Sequence, residues 1–239
     1  MLSDTEGMHY ETEGGVKVEV RTTEDGASTL YVPALDEHYH STHGALREAQ
    51  HVYLGAGLEP RLSGSGPVRV LEIGFGTGLN ALLTLQRSLA GSPVIEYDTL
   101  EKYPLPPTVI QSLGVERYVL NPELLAYHGQ LHASAWETAV AITPRFVLRK
   151  LHAALQTTAL PPGHYDVVYF DAFAPDKQPD MWTEAVFEQL YQATAPGGVL
   201  VSYCAKGSFR RSLKAAGWLV EKLPGPPGKR EMTRARKEE

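Results

Sequence analysis

At 239 residues, with 43% hydrophobic and 21% charged side chains, the chain suits one soluble globular core and neither a disordered nor a membrane-embedded one. No apolar run approaches the roughly 18 residues needed to cross a bilayer. The acidic start Met1-Leu2-Ser3-Asp4 lacks the basic, apolar pattern of a leader, and a single cysteine, Cys204, rules out an internal disulfide and points to a reducing cytoplasm.

The net charge of −6 is unevenly spread. Residues 1–60 hold eleven acids against Lys17, Arg21 and Arg47, whereas residues 206–237 hold ten bases against Glu221 and Glu231. An acidic protein can therefore carry a local basic face. Val16–Thr22 alternates, Glu24-Asp25-Gly26 supplies a turn and Ser28–Val32 resumes an extended run, so a hairpin is predicted. Ser41 or Thr42 can cap a helix running to about Ala56, with Gly55 and Gly57 ending it. Residues 1–60 are thus expected to form an extension packed on a main domain of residues 61–239. There, strands are predicted at 68–73, 94–100, 145–150, 166–171, 198–204, 217–223 and 230–234, and helices at 79–90, 106–113, 151–158, 180–194 and 207–216. Residues 114–144 have weak periodicity and are expected to be an insertion. Pro196-Gly197-Gly198 breaks the chain before the fifth strand, and only Pro224–Gly228 separates the last two, which should pair as a hairpin. Cys204, in the apolar run Val199–Ala205, is expected to be a buried strand residue.

The chemistry begins at the first of these strands. It carries Glu72, then Gly74, Gly76 and Gly78 alternate before a helix that opens at Leu79-Asn80. Glycines let a backbone approach a ligand with no Cβ in the way. The spacing is G-x-G-x-G, not the G-x-G-x-x-G of dinucleotide binders, and no Gly-Lys-Ser/Thr follows. It suits S-adenosyl-L-methionine better than NAD or ATP. Glu101, closing the second strand, can accept hydrogen bonds from ribose hydroxyls, and Lys102 follows it. The fold class expected is α/β, a Rossmann-like methyltransferase sheet with an antiparallel last strand. Asp171 ends the fourth strand, beside that crevice, with Phe173 and Pro175 as apolar surface. An acid there can orient an N–H while a ring packs the acceptor. Trp182 can stack a base or fill core. His38, His40 and His43 suggest a metal, but no cysteine or clustered acids support one, so no metal is expected.

Glu72–Asn80 (EIGFGTGLN), Glu101–Leu105 (EKYPL), Asp171–Thr183 (DAFAPDKQPDMWT), the Ala195–Gly198 break and Gly228–Met232 (GKREM) resemble the methyltransferases of tRNA wobble-uridine modification, as does Tyr39–Val52. The resemblance covers most of residues 36–234. It implies methylation of a 5-aminomethyl group to 5-methylaminomethyl-(2-thio)uridine, with S-adenosyl-L-methionine as cofactor and a tRNA anticodon loop as partner. Members of that family are often fused to an FAD-dependent oxidase. This chain has no second glycine fingerprint, so it looks like a stand-alone form working with a separate oxidase. The family's acid after the third strand, for the adenine amino group, is absent: no Asp or Glu lies between Glu137 and Asp166.

Asp171 and Phe173 are the catalytic candidates, Asp171 holding the amine by one N–H and receiving its proton. A free alkylamine titrating near 10.4 is neutral in only about one part in several thousand at pH 7, so a proton acceptor is needed. Lys177, Trp182, Arg210, Arg211, Lys229 and Arg230 are the candidates for tRNA contact. The competing readings are a small-molecule methyltransferase or an aminopropyltransferase on the same sheet, and an RNA-binding module without cofactor.

Overall fold

The computed structural model describes residues 9–12, 15–64, 66–91 and 93–239. The acidic chain start, including Asp4 and Glu6, lies outside the described residues, as does Glu13. A small antiparallel sheet runs in the order β1 (His9–Glu11), β2 (Lys17–Thr22), β3 (Ser28–Val32), β4 (Glu37–His38). The predicted hairpin is β2–β3, and Asp25 Oδ1 braces its turn by accepting from the Thr23 hydroxyl at 2.6 Å.

The helix that follows is longer than expected. It begins as α1 (Ala45–Glu48), widens into a π-helix over Ala49–Leu58, and tightens to a 3-10 turn at Glu59–Arg61. Gly44, not Ser41 or Thr42, stands at its N-cap. Gly55 and Gly57 do not end it. A Cβ on Gly57 would lie 2.9 Å from Val201 Cγ2 and 3.2 Å from Val167 Cγ1. That glycine lets the helix press against the large sheet.

The large sheet has the order β11-β12-β10-β9-β5-β6-β8-β7. Its strands are β5 (Val68–Ile73), β6 (Ile95–Leu100), β7 (Ala139–Thr143), β8 (Phe146–Leu151), β9 (Tyr165–Phe170), β10 (Thr194–Ser202), β11 (Leu219–Pro224) and β12 (Glu231–Arg236). The five strands β8, β6, β5, β9 and β10 are parallel. β12 runs antiparallel to β10 and forms the expected hairpin with β11. The Pro-Gly-Gly break lies within β10, as a register shift between Thr194 and Val199. β10 stops at Ser202, leaving Cys204 buried just past its end.

Segment 114–144 is more ordered than its weak periodicity suggests. It holds α4 (Pro122–Ala133) and β7, which pairs antiparallel with β8. Asn121 caps α4, accepting from the N–H groups of Glu123 and Leu124 at 2.8 and 3.4 Å, and Pro122 takes the first helical position. The remaining helices are α2 (Leu79–Leu89), α3 (Pro107–Ser112), α5 (Glu184–Ala193) and α6 (Gly207–Ala215). The helix expected at 151–158 is instead the end of β8 and a 3-10 turn at Leu155–Thr157. The one expected from 180 starts later, because Thr183 caps α5 after a 3-10 turn at Pro179–Trp182.

Alternation along the strands puts two cores on the two sheet faces. Val70, Tyr97, Val167 and Val201 pack with α2, the long N-terminal helix and the small sheet. Leu71, Val168, Phe170 and Leu200 pack with Phe187 of α5 and Phe209 of α6. Phe170 is fully buried among aromatic neighbours, so truncating it to alanine would cost about 3–5 kcal/mol.

Candidate functional site

The strand order reverses at β5, with β6 on one side and β9 on the other. The carboxyl ends of these strands open a crevice at such a switch point. A cleft of about 590 Å³ lies there, inside the range of roughly 300–1,000 Å³ common for small-ligand sites.

The glycine loop forms one side of the cleft. Gly74, Gly76 and Gly78 have φ of 92°, 50° and 73°. A Cβ would meet the Asp171 carbonyl oxygen at 3.1 Å from Gly74, the Tyr39 ring at 3.2 Å from Gly76 and His132 Nε2 at 2.8 Å from Gly78. The loop is braced from behind. The Thr77 carbonyl accepts from Nε2 of both His128 and His132, at 3.1 and 3.0 Å, and burial lowers His132 to about 3, so its ring is neutral. The Lys150 ammonium donates to the His132 carbonyl at 2.6 Å and lies 4.7 Å from the Trp136 ring centre. Burial lowers Lys150 to about 8.

Glu101 crosses the mouth of the loop, with Oε2 accepting from the Gly76 N–H at 3.0 Å and Oε1 from the Tyr103 N–H at 2.8 Å. Burial raises its carboxyl, and those two N–H groups oppose the rise. Lys102 borders the cleft beside it, exposed. Where the adenine-binding acid was expected, the wall is Ala153, Ala154, Leu155 and Gln156, joined by Asp180.

The other half of the cleft gathers around Asp171. Its N–H extends the sheet ladder to the Ile73 carbonyl at 3.3 Å, which places the side chain at the switch point. Oδ1 accepts from the Tyr53 hydroxyl at 2.6 Å and Oδ2 from Asn80 Nδ2 at 2.9 Å. Burial raises this carboxyl; the Tyr53 and Asn80 bonds and the Lys229 ammonium pull it back. Phe173 meets Tyr39 edge-on with ring centres 5.2 Å apart. Lys229 pairs with buried Glu48 and sits 4.1 Å from the centre of the Tyr203 ring.

The structure thus brings Gly74, Gly76, Asn80, Glu101, Lys102, Asp171, Phe173 and Lys229 to one cleft, while Gly78 closes the loop behind it. Other candidates lie elsewhere. Glu72, expected at the cofactor, is fully buried on β5 and bonded to Thr99 at 2.8 Å. Trp182, expected at a base, is buried against Phe170 and Phe209, and its Nε1 donates to the Phe173 carbonyl at 2.9 Å. Arg210, expected at a phosphate, is buried and donates to Glu231, Thr233 Oγ1 and the Met232 carbonyl. Lys177 is half-buried outside the cleft, and Arg211 and Arg230 are exposed.

Sequence reasoning missed Tyr39, Glu48, Tyr53, Tyr203, Gln156 and Asp180. Only the similarity of Tyr39–Val52 to the family hinted at the first two. Among the described residues, no group of three or more His, Cys, Asp or Glu is placed to hold a metal ion, and no helix is long and apolar enough to cross a membrane. A cradle that any Cβ would fill, next to a carboxylate bonded to loop N–H groups, fits a nucleoside cofactor.

Residues 126–238 match the family model described as S-adenosyl-L-methionine-dependent methyltransferase. The chain is 33% identical over 209 residues to the tRNA 5-methylaminomethyl-2-thiouridine biosynthesis bifunctional protein MnmC of Chromobacterium violaceum, an alignment covering 82% of this chain and 31% of that protein. Its counterpart in Magnetococcus marinus is 35% identical over 219 residues, with 86% and 32% covered. The chain spans about a third of the length of these curated relatives. Among solved structures, MNMC2 from Aquifex aeolicus superimposes with a TM-score of 0.73 at 24% identity, covering 94% of this chain and 72% of that one. Spermidine synthase from Thermotoga maritima gives 0.57 at 13% identity, covering 97% and 72%. Both show a shared fold. The sheet order is the fold shared with these structures, residues 126–238 match the methyltransferase model, and most of the chain is similar to about a third of the MnmC proteins.

Proposed function

We propose that the chain methylates the 5-aminomethyl group of a tRNA wobble uridine, giving 5-methylaminomethyl-(2-thio)uridine. The observation that carries this reading is Asp171, a half-buried carboxylate with uncharged donors on both oxygens, set between the glycine loop and the Phe173–Tyr39 wall. The relatives' printed names, which specify 5-methylaminomethyl-2-thiouridine biosynthesis on tRNA, supply the substrate class.

The cofactor, when bound, supplies a methyl group activated as a sulfonium. Gly74, Gly76 and Gly78 would seat it, and Glu101 would exchange its loop N–H contacts for ribose hydroxyls. Asp171 accepts an N–H of the substrate amine, orients its lone pair and takes up its proton. Holding two reactants in line is worth about 7–11 kcal/mol. Phe173 and Tyr39 exclude water, and the Lys229 ammonium disfavours a second cation at the acceptor position. An anticodon loop presents bases already unpaired, which suits a cleft of this volume. Arg211 and Arg230, with Lys177, would contact phosphates, whereas Lys229 faces the acceptor nucleotide.

In this reading residues 1–60 are an extension that completes the acceptor half through Tyr39, Glu48 and Tyr53. Residues 61–239 form the methyltransferase domain, and the 114–144 insertion braces Thr77. The relatives are named bifunctional, so an FAD-dependent oxidase acting on the same uridine in the cytoplasm is the partner we propose. The test is to incubate the protein with S-adenosyl-L-methionine and tRNA carrying 5-aminomethyluridine, then analyse the nucleosides by mass spectrometry. Conversion to the 5-methylaminomethyl form is expected. Cofactor binding without conversion would refute the substrate assignment.

A further inference from the structure

Three polar atoms lie buried without a hydrogen-bond partner behind Asp171: Glu72 Oε1, Asn80 Oδ1 and the Tyr97 hydroxyl. Glu72 is 0% exposed and Asn80 3%. Both Asn80 and Tyr97 lie against the Glu72 carboxyl, whose other oxygen accepts from Thr99 Oγ1 at 2.8 Å.

The groups facing Glu72 are Thr99 and Tyr97 from β6, Asn80 from α2, and Tyr169 and Asp171 from β9 and its end. None of them is a cation. An ionised Glu72 would be a buried charge without a counter-ion, beside Asn80, whose Oδ1 is itself an acceptor without a donor. One proton on Oε1 would supply the donor that the Asn80 oxygen lacks. Burial pushes the Glu72 carboxyl up in the same sense.

The consequence reaches the reacting end of the network. An amide has one oxygen and one NH₂, so whatever binds one fixes the other. With its oxygen taken by an acid proton, Asn80 presents Nδ2 to Asp171 Oδ2, the bond of 2.9 Å seen here. An ionised Glu72 would draw the NH₂ to itself and turn the amide oxygen onto Asp171.

We propose that Glu72 is a positioning residue held as a neutral carboxylic acid, donating its proton to Asn80 Oδ1 so that the Asn80 amide keeps its N–H on Asp171. The catalytic consequence rests on the proposed role of Asp171, but the protonation state of Glu72 does not. Infrared spectra of the full chain at pH 7 should show a protonated-carboxyl carbonyl band that disappears in Glu72→Gln. In the tRNA methylation assay, Glu72→Gln keeps an N–H for Asn80 and should hold kcat within about threefold, with the acid limb of its pH profile in place. Glu72→Leu removes the donor at similar volume. It should lower kcat roughly tenfold, the weight of one hydrogen bond to a charged group, and move the acid limb upward with KM unchanged. Absence of the band, or a Gln variant as impaired as the Leu variant, would overturn the proposal. If Glu72→Leu fails to fold, the band and the Gln variant decide. If native protein does not methylate the tRNA, the substrate reading falls, and the infrared band still decides the state of Glu72.

Discussion

The two halves of the cleft are made of different materials. The half proposed for the cofactor is mostly main chain: three left-handed glycines, the loop N–H groups and one carboxylate laid across them. Its glycines and carboxylate come from two short stretches, 74–80 and 101–103. The acceptor half is side chain, drawn from Tyr39, Glu48 and Tyr53 in the N-terminal region, Asp171 and Phe173 after β9, Tyr203 after β10 and Lys229 before β12. A site made of backbone is fixed by φ and by clearance. A site made of side chains is fixed by the packing of remote segments and can be altered piecewise. The two halves should therefore fail separately.

The sharpest separation is at Asp171. Asp171→Asn keeps the shape and removes the proposed proton acceptor, so methyl transfer should fall about 10²–10⁴-fold. Affinity for S-adenosyl-L-methionine by calorimetry should stay within about twofold, because the Asp171 side chain bonds to Tyr53 and Asn80 and not to the glycine loop. A variant that turns over normally would break the division of labour between the halves.

The converse lesion is Gly78→Val. The position has φ of 73°, and a Cβ would lie 2.8 Å from His132 Nε2. Left-handed backbone alone costs an L-residue roughly 1–2 kcal/mol, and the contact adds to it. Cofactor affinity should drop by about tenfold or more, while tRNA affinity, measured by filter binding, stays near its native value. Equal losses of both would show that the halves are one cooperative unit.

The same contrast explains what was legible in the sequence. The glycine loop could be read because its residues are adjacent and glycine at positive φ has a physical cause visible in the letters. The parallel order and the closing hairpin followed from strand spacing and the short Pro224–Gly228 link. Tyr53 could not be read, since nothing local says that a helical tyrosine reaches Asp171. Trp182 and Arg210 were misplaced for a related reason. A large aromatic or a guanidinium has one appearance in sequence, whether it meets a ligand or, as here, the Phe173 carbonyl and Glu231. Helix α4 was missed although Asn121-Pro122 marks its start, because its weak amphipathicity outweighed its cap. Gly55 and Gly57 read as a stop in the letters, whereas Gly57 allows close contact with β9 and β10.

Within the acceptor half, Tyr53→Phe gives a graded test. The Tyr53 hydroxyl favours ionised Asp171, so removing it lets burial raise the carboxyl further. The base form is then lost at a higher pH as the solution is acidified, and the acid limb of kcat moves up. The loss should be roughly fivefold at pH 6 and under twofold at pH 8. A uniform loss across pH would mean that Tyr53 positions substrate and does not tune Asp171.

The smallest effect expected lies outside the cleft, on the basic C-terminal region. Arg230 is exposed next to the acceptor half, whereas Arg210 is buried with its guanidinium committed to Glu231, Thr233 and Met232. Arg230→Ala should weaken tRNA binding about threefold and flatten the plot of log affinity against log salt by about one unit, the signature of one lost phosphate contact. Arg210→Ala should leave that slope alone and lower unfolding free energy by about 2 kcal/mol, because it strands hydrogen-bond partners inside the fold. Measuring both variants at several salt concentrations separates a charge that faces RNA from one that holds β12 in place. If Arg210→Ala flattens the slope and Arg230→Ala does not, the RNA path runs over α6 and not along the mouth of the cleft.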